Sequence, residues 1–393
     1  MKRTLLQSHD TTVNTRWMYL FGLVSFLFVN GLFILKYASR SSVPDWVGLI
    51  AYGVFVVGIS MISPGLSERF HKLFFILTSV LMLAGIIVVH RLIDPLSVQV
   101  DRWSAIDHFL DRMLSGQYPY LAQTHLGGYG SPFPFWNLFH LPFYWLGDVA
   151  YGMLALVAGL IFSLKRLMGT YRGASVFLFL LFLSPAFWYE VAVRSDLLYN
   201  FILCFLICAG WYRSGLTISK SLWVTGIISG LMLSTRLSIV IPFFLLLFPG
   251  FTGASWRQRI LFTGIASLTF LVTFLPFILW DIQSLVFFEY NPFVLQTRQG
   301  SLFEFILLFA LLIPLSLSWK GNFERYAAYN VATILVFVSV TFLHRMLADN
   351  FESGLFGARY DITYFSMSLP FILMVLSRAF PGRKTNVPQK VTP

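Results

Sequence analysis

The sequence predicts an all-α polytopic membrane protein, a single integral membrane domain over residues 1–393 with about twelve transmembrane helices and one amphipathic helix outside them. Three observations carry this. Hydrophobic residues make up 57% of the chain and charged ones only 11%, where a soluble domain carries about 25% charged residues. Apolar runs long enough to cross about 30 Å of hydrocarbon recur along the chain. Lys and Arg exceed Asp and Glu by 28 to 17, and they gather in alternate connections between the runs, the bias that sets orientation in a membrane.

Taken in order, the runs cover 17–35, 46–63, 73–93, 137–164, 175–193, 196–212, 259–280, 302–319, 326–343 and 361–377. Lys2, Arg3 and Arg16 precede the first as they would a signal peptide. That run is longer than a signal core and lacks a small-residue cleavage site, so it reads as a retained anchor. The stretch 221–250 is apolar throughout except at "LSTRLS", where Arg236 interrupts it. It reads as two short helices, 221–234 and 237–249, meeting in a tight outer turn. With this split, 18 of the 28 Lys and Arg fall on the side of the N-terminus. Both termini are then cytoplasmic, with 378–393 a basic cytoplasmic tail. Without the split, everything after Arg236 inverts and "WRQR" falls outside.

Residues 94–136 form the longest loop, on the extracytoplasmic face. Trp103, Ile106, Phe109, Leu110, Met113 and Leu114 recur there at helical spacing, with Asp107, His108, Asp111 and Arg112 between them. This pattern predicts a short helix lying in the membrane interface. Ser104 and Asp107 fit an S-x-x-D cap at its start. Asp101 precedes the helix and is explained neither by the cap nor by amphipathicity. The segment "QYPYLAQTHLGGYGSPFPFWNLFHLPF" follows, a Gly/Pro-punctuated loop whose Tyr118, Tyr120 and Tyr129 suit folding back over a groove.

The remaining polar residues narrow the function classes. Cys204 and Cys208 sit four apart in an apolar run and share one helix face, as small core residues do. Glu190 and Asp196 flank Arg194 in "YEVAVRSD", so internal ion pairing is expected there. Asp281 ends another run. No cofactor is expected; His108 beside Asp107 and Asp111 is the place where a divalent metal would be considered. No Gly-rich phosphate loop, zinc spacing, nucleophile elbow or internal repeat is present. The basic excess points to anionic membrane lipids and not to nucleic acid, because no basic run carries interleaved motif residues.

Asp101, the helix after it, "GQYPY" at 116–120 and "YGSPFPFWNLFHLPFYWLG" at 129–147 resemble the first large outer loop of the GT-C fold glycosyltransferases, in particular the bacterial polyprenol-phosphate-mannose-dependent mannosyltransferases. "LSTRLSIVIPF" at 233–243 and "ARYDITYFSMSLPF" near the end are similar to two further family segments. The likeness covers about residues 75–375. Two departures stand out: the loop follows the third span instead of the first, and no paired "DD" or "DE" occupies the catalytic position. The resemblance implies transfer of a hexose, mannose in that branch, from a polyprenyl-phosphate donor to a lipid, glycan or protein hydroxyl on the extracytoplasmic face, with inversion, and a place in the plasma membrane of a bacterium.

Such a transfer needs a general base for the acceptor hydroxyl and positive charge for the departing phosphate. Asp101 is the first candidate for the base and Asp107 the second. Arg236, Arg359, Arg194 and Arg298, at outer ends of spans, are candidates for the phosphate, although arginines so placed also snorkel to head groups. Two other classes fit the composition, a lipid or saccharide transporter and a non-catalytic membrane partner subunit. A transporter would carry ionisable residues at mid-span; an enzyme gathers acids and arginines at one outer cavity.

Overall fold

A computed structural model describes residues 15–38, 44–62, 66–298, 300–348, 350–356 and 361–379. Its elements follow the apolar runs. Helices α1 (Thr15–Ala38), α2 (Asp45–Ile62) and α3 (Glu68–Leu92) come first, α3 capped by Ser67. The loop region holds α4 (Arg102–Leu114), α5 (Pro134–Phe139) and α6 (Leu141–Trp145). Then come α7 (Tyr151–Met168), α8 (Tyr171–Phe182), α9 (Pro185–Ala192) and α10 (Asp196–Ser214). Helices α11 (Leu222–Leu233), α12 (Val240–Gly253) and α13 (Trp256–Val286) are followed by the short α14 (Pro292–Thr297). The chain continues through α15 (Leu302–Ser318), α16 (Phe323–Ala348), α17 (Phe351–Leu355), a 3₁₀ segment Ile362–Ser368 and α18 (Leu369–Ala379). No strand forms among the described residues; one isolated antiparallel bridge pairs Gln123 with Tyr129.

Seven of these segments are long and apolar enough to cross a membrane, and α8 with α9 makes an eighth if a pair bent by 60° counts as one. Four shorter apolar helices, in α2, α11, α12 with the turn before it, and α15, accompany them. The chain is thus a helical integral membrane protein. Its outer faces bear the apolar residues a bilayer requires, among them Phe162 at 85% exposure and Leu279 at 77%.

Several boundaries differ from the sequence expectation, each for a local reason. The run 137–164 is not one helix: Pro134 and Pro142 start short helices, Gly147 adopts φ +100°, and the long helix begins only at Tyr151. The run 175–193 breaks before Pro185, where the Ser184 hydroxyl caps the Phe187 N–H and donates to Asn30. Helix α13 runs past 280 but loses helical geometry at Asp281 (φ −157°, ψ 89°), whose carboxylate accepts from the N–H and hydroxyl of Ser284 and restarts the helix. The tail beyond Ala379 lies outside the described residues.

Long-range polar contacts sort the helix ends into two groups. At one end, Glu68 accepts from the Tyr171 N–H (2.6 Å), Tyr212 donates to the Gly321 carbonyl (2.8 Å) and Arg378 to the Leu167 carbonyl (2.7 Å). At the other, the turn between α11 and α12 meets the long loop: the Phe133 N–H donates to the Thr235 carbonyl (3.0 Å) and Gln296 to the Ser131 carbonyl (2.8 Å). This second group forms the loop end of the molecule. The chain therefore reverses at Arg236, as the split of 221–250 requires.

Helices α11 and α13 approach closely along a small-residue face. A Cβ on Gly226 would lie 2.7 Å from the Ile265 side chain, and one on Gly230 only 2.4 Å from the Ala266 carbonyl oxygen. In lipid, where no hydrophobic force draws helices together, such backbone approach supplies the packing.

Candidate polar site at the loop end

Helix α4 organises the site. Its apolar residues Ile106, Phe109 and Leu110 are buried against protein: the Phe109 ring meets Tyr120 at 4.9 Å and Phe277 at 5.7 Å between centroids. Its amphipathicity is therefore satisfied by the loop and α13, with Leu114 left exposed. The helix starts earlier than the S-x-x-D pattern implies. Asp101 occupies the N-cap position, and Ser104, already inside the helix, donates to the Asp101 carbonyl (3.0 Å) and meets His125 Nδ1 (2.7 Å). Asp107 is thus no capping residue.

Asp101 does not cap with its side chain either; its Oδ2 accepts from the Thr124 hydroxyl (2.7 Å). That bond ties the start of α4 to the turn 124–128, where Gly128 passes so close that a Cβ would sit 3.0 Å from the same oxygen. The carboxylate is half-buried at the positive end of a helix, a position that favours an anion.

Asp107 makes no side-chain hydrogen bond among the described residues. Burial raises its pKa from 3.8 to about 6; His108 opposes the shift, and Asp148 and Asp111 add to it. Tyr144 donates to Asp111 (3.3 Å), while His108 Nδ1 meets the Gln123 carbonyl (2.7 Å). Among the described residues no three His, Cys, Asp or Glu side chains come together as metal ligands would.

The arginines are held by carboxylates. Arg236 grips both oxygens of Asp196, at 2.7 and 2.6 Å from Nη2 and 2.8 Å from Nε. Trp136 Nε1 donates to the same carboxylate (2.7 Å). Arg194, in the left-handed region at φ +49°, turns away from its sequence neighbours. It bonds Asp148 (2.6 Å) and the carbonyls of His90 (2.5 Å) and Ile93 (3.1 Å), and Trp103 Nε1 binds the other Asp148 oxygen (2.8 Å). The expected pairing of Arg194 with Glu190 or Asp196 is replaced: Glu190 accepts from the Ser366 hydroxyl (2.8 Å), and Asp196 serves Arg236. Arg102 bridges Ser195 (3.0 Å) and Asp361 (2.5 Å), fastening α4 to α10 and to the last transmembrane segment.

The other expected site residues scatter. Arg298 is exposed at the end of α14, and its carbonyl accepts from Arg345 (3.2 Å). Arg359 lies outside the described residues. Tyr118 and Tyr120 are buried in the aromatic cluster, with hydroxyls 3.4 Å from the Phe277 and Pro132 carbonyls, so neither lines an open groove. Tyr129 stays half-buried, stacked on Tyr290 at 5.3 Å. Arg102, Asp148 and Asp361 were missed by the sequence reading. Asp148 and Asp361 had a signal, an acid inside or at the start of an apolar run.

The chain matches no protein-family model, and it is detectably similar to no curated protein and no solved structure.

Proposed function

We propose that the protein is a membrane glycosyltransferase, moving a hexose from a polyprenyl-phosphate donor to a lipid, glycan or protein hydroxyl at the loop end. The observation that carries this reading is the concentration of carboxylates and guanidinium groups in one polar layer. Asp101, Asp107, Asp148, Asp196, Arg102, Arg194 and Arg236 belong to the loop end, under one covering loop. In the reaction, the acceptor hydroxyl oxygen bonds the anomeric carbon as the bond from that carbon to the phosphate oxygen breaks. The hydroxyl proton passes to a carboxylate and the phosphate leaves with the electron pair.

Asp101 is the base in this reading. One oxygen is fixed by Thr124, which leaves the other for the acceptor. Asp107, poised near neutrality, is the alternative. The reading places twelve crossings between two cytoplasmic termini, with the loop end extracytoplasmic, because the basic turns then face the cytoplasm. A transporter is less well supported, since the ionisable groups gather at an end and not midway along the helices.

The test is transfer from a panel of polyprenyl-phosphate sugars by detergent-purified protein. Asp101→Asn is expected to lose on the order of 10²- to 10⁴-fold in rate with only a small loss of thermal stability, because Asn keeps an acceptor for the Thr124 hydroxyl and gives up only the charge at the helix start. Absence of transfer by the wild type with every donor, or full rates in both Asp101→Asn and Asp107→Asn, would overturn the proposal.

A further inference from the structure

A cleft of about 640 Å³ opens between the last turn of α3 and the start of α7, and Asp101 does not line it. Its volume is within the range of small-molecule sites. Its walls are of two kinds. Ile86, Ile87 and Leu154 form an apolar floor, and Ile87 is 47% exposed on the flank of α3 that a bilayer would cover. The rim is polar: His90, Arg91, Asp94, Asp148 and Arg194.

Much of the rim's acceptor capacity is engaged within the fold. Asp148 accepts from Trp103 and the Ala150 N–H on one oxygen and from Arg194 on the other, and one oxygen of Asp94 accepts from the Leu96 N–H. Among the described residues, by contrast, Arg194 Nε and His90 Nε2 are buried without a partner, although Arg194 is only 8% exposed. Arg91, exposed at the rim, has no hydrogen bond or ion pair among the described residues. Two guanidinium groups with unused donors above an apolar floor call for an acceptor-rich anion carrying a hydrocarbon chain.

We propose that this cleft binds the phosphate head of an anionic lipid entering from the bilayer along α3. The phosphate would receive Arg91 and the free Nε–H of Arg194, and the acyl or prenyl chain would lie on Ile86, Ile87 and Leu154. This site does not depend on sugar transfer, because it is read by binding.

The experiment is native mass spectrometry of delipidated, detergent-purified protein titrated with dioctanoyl phosphatidate, dioctanoylglycerol and inorganic phosphate. Phosphatidate is expected to bind at least about tenfold more tightly than either of the others, the scale of one charge-assisted contact. Arg91→Gln should weaken phosphatidate about tenfold, and Leu154→Trp, which fills the floor, should weaken it as well. Arg69→Gln, at the opposite end of α3, should leave it unchanged. Equal binding of dioctanoylglycerol would reduce the cleft to an apolar pocket, and equal binding of inorganic phosphate would make it a free-anion site. Equal effects of Arg91→Gln and Arg69→Gln would make the binding nonspecific. Each of these three results overturns the proposal.

Discussion

The guanidinium of Arg236 and the carboxylate of Asp196 form a two-pronged ion pair in which the acid is fully buried and the arginine side chain is 8% exposed. The pair joins the α11–α12 turn to the first residue of α10, and Trp136 of the long loop completes it. Removing one member of a buried pair leaves the other charged and desolvated, which costs about 3–5 kcal/mol. Arg236→Leu should therefore lose stability, and the double variant Arg236→Leu/Asp196→Leu should recover part of it. Thermal unfolding in detergent measures both. A stable Arg236→Leu protein would mean that the pair is not what holds this turn.

The glycine at the α11–α13 crossing offers a second test. Gly230→Ala forces a methyl against the Ala266 carbonyl and should destabilise by about 1–3 kcal/mol. Gly264→Ala, on the exposed face of α13 with nothing within 4 Å of its Cβ, should be neutral or gain up to about 1 kcal/mol. Equal melting temperatures for the two variants would contradict the close approach.

Asp107 gives a pH signature of known sign. Its folded pKa of about 6 lies above its ordinary 3.8, so the folded state holds the proton more tightly. The stability linked to that proton is complete below pH about 4 and is lost as pH rises through about 6. Asp107→Asn is neutral throughout and lacks this loss, so the variant should gain on the wild type between pH 4 and pH 7. Melting curves of the two proteins at both pH values check it; a constant difference would place Asp107 in an ordinary aqueous setting.

Sidedness can be read with single cysteines at exposed positions, since Cys204 and Cys208 are fully buried. Gln117→Cys and Leu126→Cys in the loop should react with an impermeant thiol reagent added to intact cells. Lys220→Cys and Arg257→Cys should not. Gly128 is a poor site because Asp101 leaves no room for a side chain there. Labelling at Lys220 or Arg257 alone would reverse the orientation.

Much of the architecture was legible because it rests on local chemistry. An apolar run of sufficient length becomes a helix wherever lipid leaves no other partner for the backbone. A lone arginine in "LSTRLS" marks a reversal because a charge cannot stay in hydrocarbon. The expectations at 137–164 and 175–193 differ from the structure because Pro134, Pro142 and Pro185 stand in the first turns of new helices and Gly147 takes a positive φ, whereas Pro249, Pro276 and Pro314 lie inside helices, so apolar composition alone could not place the breaks. The cap assigned to Ser104 and Asp107 failed because that spacing also occurs one turn inside a helix, where the Ser104 hydroxyl finds the Asp101 carbonyl.

By itself, then, the sequence determined that this chain is a bundle of membrane helices, where most of them lie, and that its largest loop carries a short helix bearing acids. Only the tertiary structure decided which charge meets which. Arg194 lies between two acids in sequence yet bonds Asp148, 46 positions away, and Arg102 bonds Asp361, 259 positions away. Desolvated charges select partners by distance in space, and that distance depends on how helix ends from remote parts of the chain come together.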